Sequence, residues 1–306
     1  MVNWKTTLAG MKVNYIKHFN APIGGRGNNE LNNKIRETVI THMARIDETG
    51  FFDDSEYGDD WINFAIQFRK AMRTICPAYK SFTIEHKGGR RYKYDYLLTF
   101  FDGPSLIAEE KVEFKYNATI VTDAPQFVSP MNPSRYLSNS FEEFHYDRYL
   151  VPFLQQHNLP VPERSTYIQT VGNDLPACMK EAQDLYYKGA KGSSRYTGDA
   201  HAVHFYNQCK RVSSDSIAHF IRETDLHSET LSHYLVESQH NKIYLLYKNG
   251  AFCVERLNPD DYIIDTYVKY PTKGIYQATT RSGKKMKILL RWKNGNGIAY
   301  PAFQIS

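Results

Sequence analysis

Residues 91–116 read RYKYDYLLTFFDGPSLIAEEKVEFKY. The centre, Asp102-Gly103-Pro104-Ser105, is a strong turn signal, because Gly and Pro supply the dihedrals a reversal needs. The flanks, 91–101 and 106–116, are rich in Tyr, Phe, Leu and Val and read as two strands of one hairpin. Side chains alternate faces along a strand. Tyr94, Tyr96, Leu98 and Phe100 therefore share one face of the first strand, and Asp95 points to the other. On the second strand Glu110, Val112, Phe114 and Tyr116 share a face, and Glu109, Lys111, Glu113 and Lys115 share the opposite one. A loop at 103–105 sets Asp95 directly across from Glu113.

That pairing carries chemistry. Adjacent strands lie ~4.8 Å apart, so two facing carboxylates are placed to share one divalent cation, and two acids held this close are costly without one. Phosphodiester hydrolysis needs a poised water and shielding of charge on phosphorus. Mg²⁺ or Mn²⁺ on two carboxylates supplies a Lewis acid, and Lys115 on the same face supplies an ammonium to orient the water and offset phosphate charge. The triplets Glu85-His86-Lys87 and Glu109-Glu110-Lys111 fit the same Glu-x-Lys pattern. Position separates them: Glu109 falls near Thr99 with no acid opposite, and Glu85 lies on the preceding strand. The competing reading of the hairpin is a solvated face of alternating charge, common in sheets.

Outward from the hairpin, a strand is expected at 81–86, with Lys87-Gly88-Gly89-Arg90 as its turn, and a short fourth strand at 118–122. Upstream, Asn28 or Asn29 caps a helix carrying Leu31, Ile35, Thr38, Val39, His42, Met43 and Ile46, with Glu30 in its first turn. A second helix at 60–74 puts Trp61, Phe64, Ala65, Phe68 and Met72 on one side and stops before Pro77. Downstream, a helix is expected at 140–155. Pro160-Val161-Pro162 reads as a boundary. Residues 163–240 read as helical, broken by a flexible run at 189–198, and 242–305 as hairpins turning at Asn249-Gly250, Ser282-Gly283 and Asn294–Gly297. The expectation is an α/β (α+β) fold: a core at 1–160 with a mixed sheet flanked by helices, then a region at 161–306 of helices and β-hairpins.

The arrangement resembles the PD-(D/E)XK nuclease superfamily of restriction endonucleases, resolvases and RecB-like nucleases. The matching residues are Asp95 and then Glu113-Phe114-Lys115 on one hairpin, preceded by Gly27-Asn28-Asn29-Glu30 at a helix start. The order helix, three strands, helix agrees over about residues 24–156. Tyr94, not proline, precedes Asp95. The resemblance implies a restriction-endonuclease-like core, metal held by Asp95, Glu113 and Glu30, a nucleophile assisted by Lys115, and DNA rather than RNA as substrate. Cutting both strands of a duplex is compatible with a homodimer.

The overall charge is mild. The formal net charge is +5, and placement matters more than the total. Lys284, Lys285, Lys287, Arg291 and Lys293 lie in one acid-free run, and Arg90 and Arg91 in another. Such clusters suit phosphates or, more simply, a solvated strand face. No apolar run is long enough to span a membrane, the N-terminus has no signal-like apolar core, and the four cysteines show no CxxC pair. These predict a reducing, cytoplasmic setting. His201 and His204 lie three apart but lack a third metal ligand. Gly24–Gly27 reads as an entry loop, with phosphate contact through its amides as the alternative. A nucleic-acid-binding or assembly protein with an inert hairpin is the main competing reading, and a purely structural interaction protein the other.

Overall fold

The computed structural model describes residues 16–20, 29–44, 58–88, 92–121, 126–127, 132–239, 241–293 and 295–306. Strand β2 (Tyr96–Asp102) runs antiparallel between β1 (Ser81–His86) and β3 (Ser105–Tyr116). The turn between β2 and β3 holds only Gly103 and Pro104, with Gly103 at φ 61°. A two-residue turn alone would slip the register by one, but Phe101 faces Leu106 and Phe100 faces Ala108. Ile107 is thus the extra residue of a β-bulge. It restores the pairing Thr99 with Glu109 and Tyr96 with Val112. One residue of slip would have moved every side chain of β3 to the other face.

Two further strands complete the sheet. β5 (Ile243–Lys248) pairs parallel with β3, and β6 (Ala251–Arg256) returns antiparallel, in the order β1-β2-β3-β5-β6. The turn between them has Asn249 at φ 51° and Gly250 at φ 82°, the paired positive values of an Asn-Gly hairpin turn. Five consecutive residues of β5, Ile243 to Tyr247, are buried. A strand covered on both faces is what a parallel, central position demands.

One face of this sheet is covered by helices α1 (Asn29–His42) and α2 (Gly58–Ile75). α2 behaves as its pattern predicts. Asp59 and Asp60 sit in its first turn, favourable to the helix dipole, and Trp61, Phe64, Ala65, Phe68 and Met72 are buried. Arg73 Nη1 ties off the end by donating to Pro77 O (3.0 Å) and Tyr79 O (2.6 Å). α1 is rotated from its predicted phase. Asn32, Arg36, Val39, Ile40 and Met43 are buried, whereas Leu31 is 58% exposed. The cause is Arg36: its guanidinium lies 3.4 Å over the Tyr116 ring, and Nε donates to His18 O at 2.7 Å. A satisfied cation thus takes a place on the inner face and turns Lys34, Glu37 and His42 toward the cleft described below. The strand expected at 118–122 does not form over 118–121. Asn117, at φ 60°, ends β3, and Ala118 and Val121 pack on Tyr244 and Leu246 across the sheet's second face.

The chain divides into two units, 1–124 with 238–257, and 125–237 with 258–306. The cut therefore differs from the one expected at 160: the 243–256 hairpin belongs with the first unit because β5 pairs with β3, and the helical stretch at 141–156, expected to close the core after the three strands, belongs to the second unit. The second unit has a sheet of β4 (Gln126–Phe127), β10 (Pro301–Ile305), β9 (Lys285–Trp292), β8 (Ile275–Thr280) and β7 (Ile264–Tyr270), all antiparallel. The helix expected at 140–155 is present as Phe141–His145, a π-turn at Tyr146–Leu150, and Val151–Gln156. The wider turn accommodates Pro152, which lacks an N–H and crowds the preceding turn. The run at 189–198 begins with close packing. A Cβ on Gly189 would lie 2.0 Å from Ala202 O, so this glycine lets Lys180–Gly189 approach helix α3 (Ala200–Glu223). Overall the protein is a mixed α/β fold with two sheets. No helix of the described residues is long and apolar enough to cross a membrane.

A buried acid in the second unit gives a stability prediction. Glu142 is 5% exposed and accepts from Ser134 Oγ, with Ser140 Oγ at 3.4 Å. Burial pushes its carboxyl from the ordinary 4.5 up to about 7. A folded value above the unfolded one means that the stability from this group is whole below the unfolded value and is lost as pH rises through about 7. Glu142→Gln keeps the shape without the charge. The stability of the variant relative to wild type should therefore rise by about 2–3 kcal/mol from about pH 5 to about pH 9. Urea unfolding at both pH values checks this; a gap that does not change with pH contradicts it.

Candidate active site

The candidate site forms where the β2–β3 ladder ends, beyond the pair Tyr96 and Val112. Asp95 directly precedes β2, and the register of the pair carries it opposite Glu113. Its backbone N–H bonds to Val112 O at 3.0 Å, and its own carbonyl accepts from Lys87 N at 2.7 Å. Its carboxylate, not its backbone, takes the next donor of β3: Oδ2 accepts from Phe114 N at 2.9 Å. The side chain is thereby locked at the strand end, beside Glu113.

Glu113 is held by two ammonium groups. Oε1 lies 2.5 Å from Lys115 Nζ, and Oε2 is paired with Lys242 Nζ. Lys242 also donates to Lys93 O at 2.8 Å. The side chain of Lys242 is 5% exposed, that of Glu113 16% and that of Lys115 23%, so these are charges largely out of water. Burial, and then the charge of Glu113, push the Asp95 carboxyl up to about 6. Burial would also raise Glu113, but Lys115 and Lys242 hold it below the ordinary carboxylate value. Burial pulls Lys115 down, yet Glu113 keeps it above its ordinary value and so charged.

Asp95 lines a cleft of about 550 Å³ together with Lys34, Glu37, His42, His86 and Gly88. Glu37 reaches His86, with Oε2 3.5 Å from Nε2, and its carbonyl accepts from Tyr96 OH at 3.1 Å. Its charge acts on both Asp95 and Lys115. The cleft thus has acidic groups beside a rim of Lys and His, a pattern suited to a phosphate ester brought near a cation.

Asp95, Glu113 and Lys115 therefore come together. Glu30 lies in the first turn of α1, but its side chain is outside the described residues, as are Arg90 and Arg91. Glu37 and Lys242 are site residues that the sequence reading missed. Glu37 stands seven residues after Glu30, two helical turns on and on the same side. Lys242 has no comparable local signal, because it arrives through the parallel pairing of β5 with β3. The competing triplets lack this setting: Glu109 faces Thr99, and Glu85 pairs with Lys87.

The basic run lies in the second unit. Lys285, Lys287 and Arg291 alternate along β9 with buried Met286, Ile288, Leu290 and Trp292, so they share its outer face. Lys285 Nζ donates to Thr279 Oγ1 at 2.6 Å, and Arg291 Nη1 to Gln304 Oε1 at 2.8 Å. Lys284 precedes the strand and pairs with Asp261 at 2.7 Å. Lys293 follows it, its backbone bonded to Tyr300 O. His204, weighed as a ligand with His201, contacts Gln208 at 2.8 Å.

The donor chemistry suits a hard divalent cation. Asp95 and Glu113 offer only oxygen, and a desolvated carboxylate beside a second one is the group a cation stabilises. Among the described residues no three His, Cys, Asp or Glu side chains gather closely enough to form a metal cage. Mg²⁺ commonly takes one or two carboxylates and completes its shell with water and substrate phosphate. No family model matches the sequence, and no curated protein matches it.

Proposed function

We propose that the chain is a divalent-metal-dependent nuclease that hydrolyses phosphodiester bonds in DNA, as an endonuclease, on a PD-(D/E)XK-like core in its first unit. The observation that carries this reading is the convergence of Asp95, Glu113 and Lys115 at the open end of one hairpin ladder. The helix α1 ahead of three antiparallel strands supports the restriction-endonuclease-like assignment of that core.

Asp95 and Glu113 are the residues that would hold Mg²⁺ or Mn²⁺, which when bound acts as Lewis acid toward phosphate and water. The chain's own residues do the rest. Lys115 is held protonated by Glu113, so it is a hydrogen-bond donor and not a base. It orients the attacking water and offsets charge building on the phosphoryl oxygens as the new P–O bond forms and the old one breaks. Phe114 N–H fixes Asp95, so its orientation does not depend on substrate. Lys34, His42 and His86 line the cleft as candidate phosphate contacts. The outer face of β9 favours sequence-independent, salt-sensitive contact with the backbone of nucleic acid.

The second reading, a binding or assembly protein with an inert hairpin, draws on the same basic face. Incubating supercoiled plasmid with purified protein and Mg²⁺ separates the two. Nicked or linear product, suppressed by EDTA, is the expected result. Salt-sensitive binding without any cutting, in Mg²⁺ or Mn²⁺, contradicts the enzyme.

A further inference from the structure

Each oxygen of Glu113 is taken by a different ammonium, and the two lysines are not equivalent. Lys115 lies on the same strand, two residues on, and contacts Oε1. Lys242 comes from the segment just before β5, contacts Oε2, and is the more deeply buried of the two. It also has somewhere else to stay: Lys93 O accepts from it at 2.8 Å, and its Nζ lies 5.2 Å from the centre of the Tyr244 ring. Taking an ammonium out of water is costly, and a buried ion pair is often no more stable than an apolar substitute. Fold stability alone is thus a weak reason for a lysine here. Charge balance is a stronger one: Glu113 takes an ammonium on each oxygen, and Asp95 stands close enough to feel the charges of both Glu113 and Glu37.

We propose that Lys242 is a built-in counter-cation, occupying the Glu113 oxygen that a divalent ion needs and giving it up, while retained by the Lys93 carbonyl, when that ion enters. This rests on the metal site of the nuclease reading and adds to it a residue that sets metal affinity. Lys242 is a positioning residue: it acts through Glu113. The exchange makes no covalent bond. One ammonium contact to Oε2 is lost and one metal–oxygen contact is gained. The arrangement keeps the acids neutralised in the absence of metal and makes the ion compete for its place.

The test is Mn²⁺ binding to full-length protein without nucleic acid, read by the loss of the free-ion electron paramagnetic resonance signal. Lys242→Met should bind Mn²⁺ at least about tenfold more tightly than wild type, the effect of removing one nearby positive charge in a partly buried site. Lys242→Arg, which keeps the charge, should bind no more tightly than wild type. Asp95→Asn should weaken binding in every background. A folded Lys242→Met with wild-type affinity overturns the proposal, as does a Lys242→Arg that binds more tightly. Should the Met variant not fold, wild type decides: lysine Nζ resonances followed during a Mg²⁺ titration should show Lys242 losing its protection from exchange, and unchanged protection at saturation overturns the idea. Mn²⁺ binding that needs Asp95 but ignores Lys242 leaves the nuclease reading intact; a wild type that neither binds Mn²⁺ nor cuts DNA removes both.

Discussion

Lys115→Ala is expected to lower the cleavage rate by about a hundred- to ten-thousand-fold, the range lost with a positioned catalytic group, while leaving DNA binding largely intact. In the proposed mechanism Lys115 acts chiefly in the transition state. Its ammonium is held toward Glu113 at 2.5 Å and kept charged by it. The phosphate contacts assigned to the cleft rim and to β9 lie on other residues, so affinity should persist. A loss in kcat with unchanged KM is the signature of an interaction made chiefly in the transition state. Single-turnover cleavage, paired with a binding titration in Ca²⁺, measures both. Wild-type turnover in this variant contradicts the assignment.

Glu113→Gln is expected to cost about 3–5 kcal/mol of folding stability as well as abolish cutting. Removing one partner of a buried ion pair strands the other charge, and that penalty is of this size. Here two ammoniums are stranded together, on side chains only 23% and 5% exposed. Adding Lys242→Met should recover part of the loss, because the second change removes a cation that no longer has a carboxylate. Double-mutant analysis by urea unfolding should therefore show strong non-additivity, of about 1–3 kcal/mol. A loss below about 1 kcal/mol for the single variant, as for an exposed pair, contradicts the buried three-charge arrangement.

The parts of the fold governed by local chemistry were legible in the sequence. Strand β1 covers the expected 81–86, α2 buries the expected stripe, and Asn249-Gly250 forms the expected turn. Tyr96 stands opposite Val112 as the hairpin register required, which brings Asp95 beside Glu113, although the route differs: a shorter turn is compensated by the bulge at Ile107. What was illegible depends on distant partners. The phase of α1 turns on Arg36 finding Tyr116 and the carbonyl of His18. The division into units turns on β5 choosing β3, a pairing across more than a hundred residues. The unbroken apolar run of β5 signalled a strand covered on both faces, but not which strand it would join. Lys242 is carried into the site by that same pairing, so no local pattern points to it. Glu37 was closer to view, on the same side of the helix as Glu30, and became distinguishable only once the cleft placed it with Asp95.

Anomalous diffraction from crystals of the protein soaked in Mn²⁺ bears most directly on whether two acids and a lysine make one metal site. The expected result is a single strong peak beside the carboxylates of Asp95 and Glu113, with Lys242 moved off Oε2. Manganese bound only elsewhere, with both lysines still closed on Glu113, would contradict the account.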